Sequence, residues 1–185
     1  MNDVKRVVLV AFDRFTDIDL FLAWDLFARI GPPCSVQIAA KTPRITSSTG
    51  LTIDCHAGLA AASEADAVYF CSGPGSRVLV DDAEACDILR LDPSRQVLAA
   101  VDSGAIVLGK LGHLRGLRAT TYPSPDLHDR LHAYGATLVR SSLVVEGNVA
   151  TAAQCLAGVE LVRWVTARLF DDTVAHSVVA SVAAL

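Results

Sequence analysis

The chain has 185 residues, 52% of them hydrophobic, with a mean hydropathy of +0.41, a net charge of −4 and a pI near 5.6. This length predicts one well-packed domain, residues 1–185. The lack of a basic run argues against nucleic-acid binding, and no apolar stretch reaches the roughly 18–20 residues of a membrane span. The first residues lack a signal-peptide pattern, and the five cysteines are widely spaced, mostly in apolar runs. We therefore expect reduced thiols and a cytoplasmic protein.

Short apolar runs alternate with amphipathic segments in the first half of the chain. They predict strands at Arg6–Ala11, Ser35–Ala40 and Ala67–Cys71, a hairpin over Ile45–Ile53, and helices at Asp19–Arg29 and Arg77–Leu91. The loops after Ala11, Cys71 and Val101 all follow predicted parallel strands. Because ligands bind at the carboxyl ends of such strands, we expect these loops to share one rim.

The second half continues the same alternation. It predicts strands at Val97–Val101, Leu117–Thr121, Thr137–Val139, Leu143–Glu146 and Val149–Thr151, and helices beginning after Ser124 and spanning Gln154–Phe170 and Thr173–Ala184. Ser124 has the residue type of an N-cap, and Pro125 suits a first helical position. The whole pattern predicts an α/β three-layer sandwich, with a mostly parallel sheet and helices on both faces.

The most informative stretch joins the strand Val97–Val101 to a helix at Ala105–Leu111 through only three residues, Asp102-Ser103-Gly104. A strand that becomes a helix within three residues needs a sharp bend, and glycine at position 104 relieves crowding there. This is the architecture of a nucleophile elbow, which raises one side chain above the carboxyl edge of a sheet. Asp102 occupies the position of that side chain.

Six segments with fitting spacing carry a resemblance to a known family. They are Phe15–Leu20 (FTDIDL), Ser47–Leu51 (SSTGL), Gly73, Val101–Gly116 (VDSGAIVLGKLGHLRG), Arg118–Thr121 (RATT) and Thr151–Leu161 (TAAQCLAGVEL). With these segments the chain resembles the ThiJ/PfpI superfamily, which is class I glutamine amidotransferase-like, and most of all its isocyanide-hydratase and regulator-sensor branches. The resemblance implies a flavodoxin-like fold and a homodimer. The apolar helix at Asp19–Arg29 is consistent with a second surface to cover.

Three positions depart from the family pattern. Asp102 stands where the resemblance places a catalytic cysteine, Tyr122 where many members have a histidine, and Pro74 where a second loop glycine can offer an N–H to an oxyanion. Proline has no N–H, and a Cys–His nucleophile needs a thiolate with a base beside it. We therefore do not expect the thiol chemistry of the family in this chain.

The resemblance implies that Asp19 lies close to Asp102, where the family has an acidic partner for its cysteine. Two carboxyl groups in one small pocket should raise one pKa, and the helix after Asp102 offers partial positive charge to an anion. We expect Asp102 to be ionised and Asp19 protonated. Such a pair can act as a general acid and base, or it can be a structural pair at the base of a ligand pocket, which we favour. A third interpretation treats Asp102 as a fixed mimic of an oxidised cysteine.

Four further residues are candidates for the ligand pocket: Ser103, Gly73, Tyr122 and Cys71. Three of them also have an ordinary structural interpretation, since Ser103 can cap a helix, Tyr122 can fill space, and Cys71 can be a buried thiol. Cys155 is interpreted in the same way as Cys71.

His128 and His132 have the i, i+4 spacing of helical metal ligands, but a solvated helix face is favoured because no third ligand is visible. No cofactor and no metal are predicted. Two functions stay open. The favoured one is a small-molecule-binding or regulatory protein without the cysteine nucleophile. The alternative is a hydratase, lyase or hydrolase that uses Asp102 with Asp19.

Overall fold

The computed structural model of the chain describes residues 4–182. Eleven strands and seven α-helices are numbered below in chain order. The strands are β1 (Lys5–Val10), β2 (Cys34–Ala40), β3 (Arg44–Thr46), β4 (Thr52–Asp54), β5 (Ala57–Gly58), β6 (Ala67–Phe70), β7 (Val97–Val101), β8 (Arg118–Ala119), β9 (Thr137–Leu138), β10 (Leu143–Glu146) and β11 (Val149–Ala152). The helices are α1 (Asp17–Ala28), α2 (Ser76–Asp81), α3 (Ala83–Ile88), α4 (Ala105–Lys110), α5 (Pro125–Ala133), α6 (Gly158–Leu169) and α7 (Asp172–Ala180).

A seven-stranded sheet organises the structure, with strand order β10-β11-β7-β6-β1-β2-β5. All neighbouring pairs are parallel except the β10–β11 hairpin. The four central strands β1, β6, β7 and β11 are apolar and largely buried, as parallel strands covered on both faces must be. Helices α1, α6 and α7 pack together as one group, and α2, α4 and α5 as another. The predicted α/β flavodoxin-like fold is confirmed.

Two small pairings lie outside the main sheet. β3 and β4 form the antiparallel hairpin predicted around Gly50, and β8 pairs in parallel with β9. β8 is shorter than the predicted strand Leu117–Thr121. After Ala119 the chain leaves the strand pairing, because the Thr120 N–H donates to Thr151 Oγ1 at 2.9 Å and the Thr120 hydroxyl donates to the Ser141 carbonyl at 2.9 Å.

Several predicted helices have different bounds in the structure. The single helix predicted at Arg77–Leu91 is wrong, because α2 and α3 are separated at Asp82. The backbone of Asp82 is extended (φ −89°, ψ 100°), and its side chain caps α3 by accepting from the Ala85 N–H at 3.1 Å. The helix predicted at Gln154–Phe170 starts later, since a 3-10 turn at Cys155–Ala157 precedes α6.

Of two other helices, one begins as predicted and one ends earlier than predicted. Ser124 is the N-cap residue of α5 as predicted, but its side chain makes no capping hydrogen bond to the described residues. The last helix, predicted to reach Ala184, ends at Ala180, and residues 183–185 lie outside the described part of the chain. Among the helices of residues 4–182, none has the length and apolarity to cross a membrane.

Candidate functional site

The bend between β7 and α4 is built by Asp102 and Gly104. Asp102 has a left-handed backbone (φ 52°), a conformation that is uncommon for a residue with a side chain and that recurs at functional sites. A Cβ atom at Gly104 would lie 2.6 Å from the Phe70 carbonyl oxygen and 2.7 Å from that of Cys71. Only glycine therefore allows the start of α4 to press against the end of β6. The elbow holds Asp102 at the carboxyl edge of the sheet.

The Asp102 side chain is half-buried and faces a cavity. Its Oδ1 accepts a short hydrogen bond from the Ser103 N–H, and its backbone carbonyl accepts from the Thr121 hydroxyl at 2.7 Å. Burial raises the pKa of Asp102 to about 6, and Asp19 adds to the rise. The Ser103 N–H and the more distant Arg77 act in the opposite sense. Burial therefore affects this pKa more than the N-terminus of α4 does, although that N-terminus was expected to stabilise the ionised carboxyl group.

Asp19 lies in the first turn of α1 and is 1% exposed. The Ser72 hydroxyl donates a short hydrogen bond to its Oδ2, whereas its Oδ1 has no hydrogen-bond partner among the described residues. Burial raises the pKa of Asp19, while the hydroxyl of Ser72 and the thiol of Cys155 act in the opposite sense. A buried carboxyl with one satisfied oxygen is easier to keep protonated than ionised.

The structure brings Asp19, Asp102 and Cys155 together. One carboxylate oxygen from each aspartate and the Sγ atom of Cys155 lie within 4.8 Å of one another. We call these three residues the acidic triad. Burial and then contact with Asp19 raise the pKa of the Cys155 thiol to about 12, so this thiol stays protonated near neutral pH. Within residues 4–182 this is the one cluster of three His, Cys, Asp or Glu side chains with metal-ligand spacing.

The interpretation of Cys155 as an ordinary buried thiol is wrong, because Cys155 is half-buried and lines the cavity beside Asp102. The pairing of β11 with β7 explains why. Ala152 is the parallel partner of Val101, so the residues after both strands leave the sheet at the same edge. Adding the loop after Thr151 to the three predicted rim loops would have identified Cys155 as a site residue.

The loop after β6 is tied to the elbow through Ser103. The Gly73 N–H donates to Ser103 Oγ at 2.9 Å, and the same hydroxyl donates to the Gly73 carbonyl at 3.2 Å. Gly73 has φ 136°, and a Cβ there would lie 2.3 Å from the Arg14 carbonyl oxygen. Both residues are buried, so Ser103 joins two loops. Its hydroxyl is not acting as the helix cap considered from the sequence.

The remaining sequence candidates divide between the pocket and the core. Cys71 is fully buried, its Sγ lies 3.4 Å from the Ser72 carbonyl oxygen, and burial raises its pKa well above the usual value. Tyr122 is 46% exposed and lies at the cavity wall with Asp102. His128 and His132 are exposed on α5, and neither belongs to a potential metal-ligand cluster among the described residues.

The cavity beside Asp102 has a volume of about 550 Å³. Its lining combines carboxyl, hydroxyl and thiol groups with small apolar side chains: Asp102, Tyr122, Ser142, Ala153, Gln154, Cys155, Leu156, Ala157 and Glu160. A second cavity, of about 830 Å³, shares Ser142, Ala153 and Gln154 with it and extends to His128 and Arg140. The two cavities are therefore adjacent, and each has a volume in the range that holds a small organic molecule.

Comparison with known proteins places this chain in a family. The model of the DJ-1/PfpI family matches residues 5–168. Isonitrile hydratase of Pseudomonas putida is 29% identical over 157 residues, which cover 84% of this chain and 68% of the hydratase.

The solved structures agree with this match. A ThiJ/PfpI family protein from Pseudomonas syringae superposes with a TM-score of 0.86 at 25% identity, over 98% of this chain and 75% of that one. An AraC family transcriptional regulator from Pseudomonas putida shares the fold, with a TM-score of 0.76 at 20% identity over 97% of this chain and 100% of that one. The chain therefore belongs to the DJ-1/PfpI family.

Proposed function

We propose that this chain is a DJ-1/PfpI family protein that binds a small molecule non-covalently, without a cysteine nucleophile, in the cavity beside Asp102. One observation carries the proposal. The backbone N–H groups of Ser103 and Gly73, two candidate donors to an oxyanion, are already used inside the protein. The Ser103 N–H donates to Asp102 and the Gly73 N–H donates to Ser103 Oγ. Acyl-transfer enzymes need such donors to face the substrate.

The thiols near the site support the same proposal. The pKa of Cys155 is raised to about 12, and burial raises that of Cys71 well above its usual value. The thiolate is the nucleophilic form of cysteine, so neither residue supplies one near neutral pH. Asp102 takes the position at which the resemblance places the nucleophile of the family.

The polar groups of the cavity indicate the chemistry of its ligand. Asp102 and Glu160 bring carboxyl groups to the wall, and the Glu160 carboxylate already accepts a hydrogen bond from the Ser142 hydroxyl at 2.9 Å. A wall rich in hydrogen-bond acceptors favours a ligand that donates hydrogen bonds or carries positive charge, such as an amine or an amide N–H. The apolar side chains beside them suit a small hydrocarbon body.

A ligand-stabilisation screen tests this proposal. Wild-type protein would be melted with amines, amides and other small molecules in the presence of a metal chelator, beside the variant Asp102→Asn. We expect at least one ligand class to raise the Tm of the wild type, and the shift to be lost in Asp102→Asn. Asp129→Asn is the matched control, because Asp129 is exposed on α5. Equal shifts in wild type and Asp102→Asn would contradict the proposed pocket.

A second function is favoured by the left-handed backbone of Asp102 and its pKa of about 6. A carboxyl group that titrates near neutral pH can serve as a general acid or base. The relative named isonitrile hydratase suggests addition of water to a small substrate. Adding water to an isonitrile breaks both O–H bonds of the water and converts the carbon–nitrogen triple bond to a single bond. The oxygen and one proton add to carbon and the other proton adds to nitrogen, giving an N-substituted formamide. The Asp102 carboxylate would take a proton from the attacking water and deliver it to the substrate, while Asp19 stays protonated beside it.

A turnover panel separates the two functions. It would contain isonitriles, nitriles, methylglyoxal, simple amides and simple esters, with folded wild type and Asp102→Asn compared. No turnover by either protein supports binding alone. Turnover by the wild type that falls more than about a hundredfold in Asp102→Asn supports acid–base catalysis, which is the usual size of such a contribution.

We also propose that the chain acts as a cytoplasmic homodimer and that residues 1–185 are one domain. Along α1, Leu20, Leu26 and Phe27 are fully buried, whereas Leu22 and Trp24 are only half-buried and leave apolar surface for a second copy. Light scattering after size-exclusion chromatography measures the mass directly. A monomer at micromolar concentration would contradict the homodimer.

A further inference from the structure

We propose that the acidic triad of Asp19, Asp102 and Cys155 is a binding site for a divalent transition-metal ion of the zinc class. The three residues come from separate parts of the chain: the first turn of α1, the elbow, and the 3-10 turn after β11. One potential ligand atom from each lies within 4.8 Å of the other two. The inference goes beyond the proposed function, which concerns an organic ligand in the cavity.

A buried carboxyl oxygen of Asp19 supports a metal ion at this site. Asp19 is 1% exposed, and apart from the contact of its carboxyl group with the Cys155 thiol, its Oδ1 has no hydrogen-bond partner among the described residues. Buried acceptors normally have a partner, because desolvation without one is costly. The Ser72 hydroxyl holds Oδ2, which fixes the orientation of the carboxyl group. Metal-binding side chains are typically oriented by hydrogen bonds of this kind from the residues behind them.

No cationic side chain of the described residues forms an ion pair with the triad. Within residues 4–182 neither Asp19 nor Asp102 makes an ion pair. The side chain of Arg77, which lowers the pKa of Asp102 only from a distance, instead forms an ion pair with Asp126 at 2.7 Å. A divalent ion would supply the positive charge that the surrounding protein does not.

The donor atoms select the class of ion. Two carboxylate oxygens and one sulfur favour zinc, cobalt or iron over magnesium and calcium, which prefer oxygen alone. Zinc bond lengths of about 2.0–2.3 Å place tetrahedral ligand atoms roughly 3.3–3.7 Å apart. The triad atoms, which lie within 4.8 Å of one another, therefore need to approach by at most about 1.5 Å.

The site would keep one open position. Three protein ligands leave the fourth corner of a tetrahedron for water or a small ligand, as in catalytic zinc sites. That corner would face the cavity, because Asp102 and Cys155 both line it. On binding, the Cys155 thiol gives up its proton to form the metal–sulfur bond, and any proton held by the carboxyl groups is released to water as well.

Metal titration of the full chain tests the site directly. Chelator-treated protein would be titrated with Zn²⁺ alone by calorimetry and with Co²⁺ alone by absorption spectroscopy. We expect one ion per chain, a thiolate-to-cobalt charge-transfer band, and no displacement by Mg²⁺. Cys155→Ser should lose the band and weaken Zn²⁺ binding more than about tenfold. Cys71→Ser is the matched control, because Cys71 is buried nearby but outside the triad, and it should keep both.

A second variant keeps the test decisive if Cys155→Ser does not fold. Ser72→Ala removes the hydroxyl that orients Asp19 and should weaken Zn²⁺ binding about tenfold while leaving the cobalt band in place. Absence of binding to the wild type would overturn the inference, as would unchanged binding in the folded variants or a band that disappears only in Cys71→Ser. The ligand screen contains chelator, so failure of the organic ligand and failure of the metal site are separate results.

Discussion

Acidic groups have opposite surroundings at the amino and carboxyl edges of the central sheet, which are formed by the amino and carboxyl ends of its parallel strands. At the amino edge, Asp66 accepts from the Arg6 N–H at 2.8 Å and from Lys5 Nζ at 3.4 Å, and Arg95 and Arg168 lie around the same hollow. At the carboxyl edge, Asp19 and Asp102 share a pocket with a thiol and make no ion pair with the described residues.

The difference lies in whether a carboxyl group has a cationic partner among the described residues. Asp66 is half-exposed and its partners come from the neighbouring strand β1, so it helps to fasten the sheet. Asp102 is half-buried, has a left-handed backbone and forms no ion pair with the described residues. Ionisation of its side chain therefore lowers the stability of the folded state. Groups that destabilise the folded state in this way cluster at functional sites. The carboxyl edge is therefore where ligand binding is expected.

The largest expected change in stability comes from adding a side chain at the elbow. Gly104→Ala places a Cβ 2.6–2.7 Å from two carbonyl oxygens, so the start of α4 must move away from β6. We expect the free energy of unfolding to fall by about 2–4 kcal/mol, measured by urea denaturation. Gly58→Ala is the control, because a Cβ there meets no described atom within 4 Å, and its φ of −79° suits alanine. Equal losses in the two variants would show that the contact at the elbow is not the cause.

The next effect is a gain in stability that depends on pH. The folded pKa of Asp102, about 6, lies above the ordinary value of 3.8, so the folded state binds more protons between these values. The contribution of Asp102 to stability therefore falls as pH rises from about 4 to about 6. Asp102→Asn removes this loss, and asparagine also tolerates a left-handed backbone. We expect the variant to be more stable than wild type by about 1–2 kcal/mol at pH 7.5, after discounting for partial exposure.

Urea denaturation at pH 4.5 and pH 7.5, with chelator present, measures this change. The advantage of Asp102→Asn should shrink towards zero at the lower pH, where the wild-type carboxyl group is protonated. An advantage of the same size at both values would mean that charge burial is not its origin.

The smallest effect is expected at the opposite edge. Asp66→Asn loses the charge that faces Lys5 but keeps an oxygen for the Arg6 N–H. Because the pair is about one-third exposed on both sides, the free energy of unfolding should fall by only about 0.5–1 kcal/mol at pH 7.5. Raising the salt concentration should reduce this loss. A stabilising Asp66→Asn would remove the contrast between the two edges.

The sequence predicted the features that local chemistry determines. The apolar run Val97–Val101, the three residues after it and the helix beyond are enough to define the elbow, and β1, β2, β6 and β11 were predicted within a residue or two of their bounds. The proximity of Asp19 to Asp102 was expected only from resemblance to a family. Nothing in the local pattern around Asp19 would have placed it at the elbow.

The parts that were missed depend on tertiary structure. Cys155 reaches the site because β11 pairs in parallel with β7, a contact that joins positions about 50 residues apart. The two hydrogen bonds between Gly73 and Ser103 depend on two loops meeting in space. The break at Asp82 was missed for a local reason. The pattern of residues 77–91 is compatible with one continuous helix, although Asp82 has the residue type of an N-cap.

The most direct test of the coupled carboxyl groups is an NMR titration of the Asp102 side-chain carboxyl carbon. It would be recorded on chelator-treated wild type and on Asp19→Asn. We expect a midpoint near pH 6 in the wild type, because burial and Asp19 both raise the pKa of Asp102, and a lower midpoint in Asp19→Asn. A wild-type midpoint near the ordinary 3.8, unchanged in Asp19→Asn, would contradict a buried and coupled pair at the elbow.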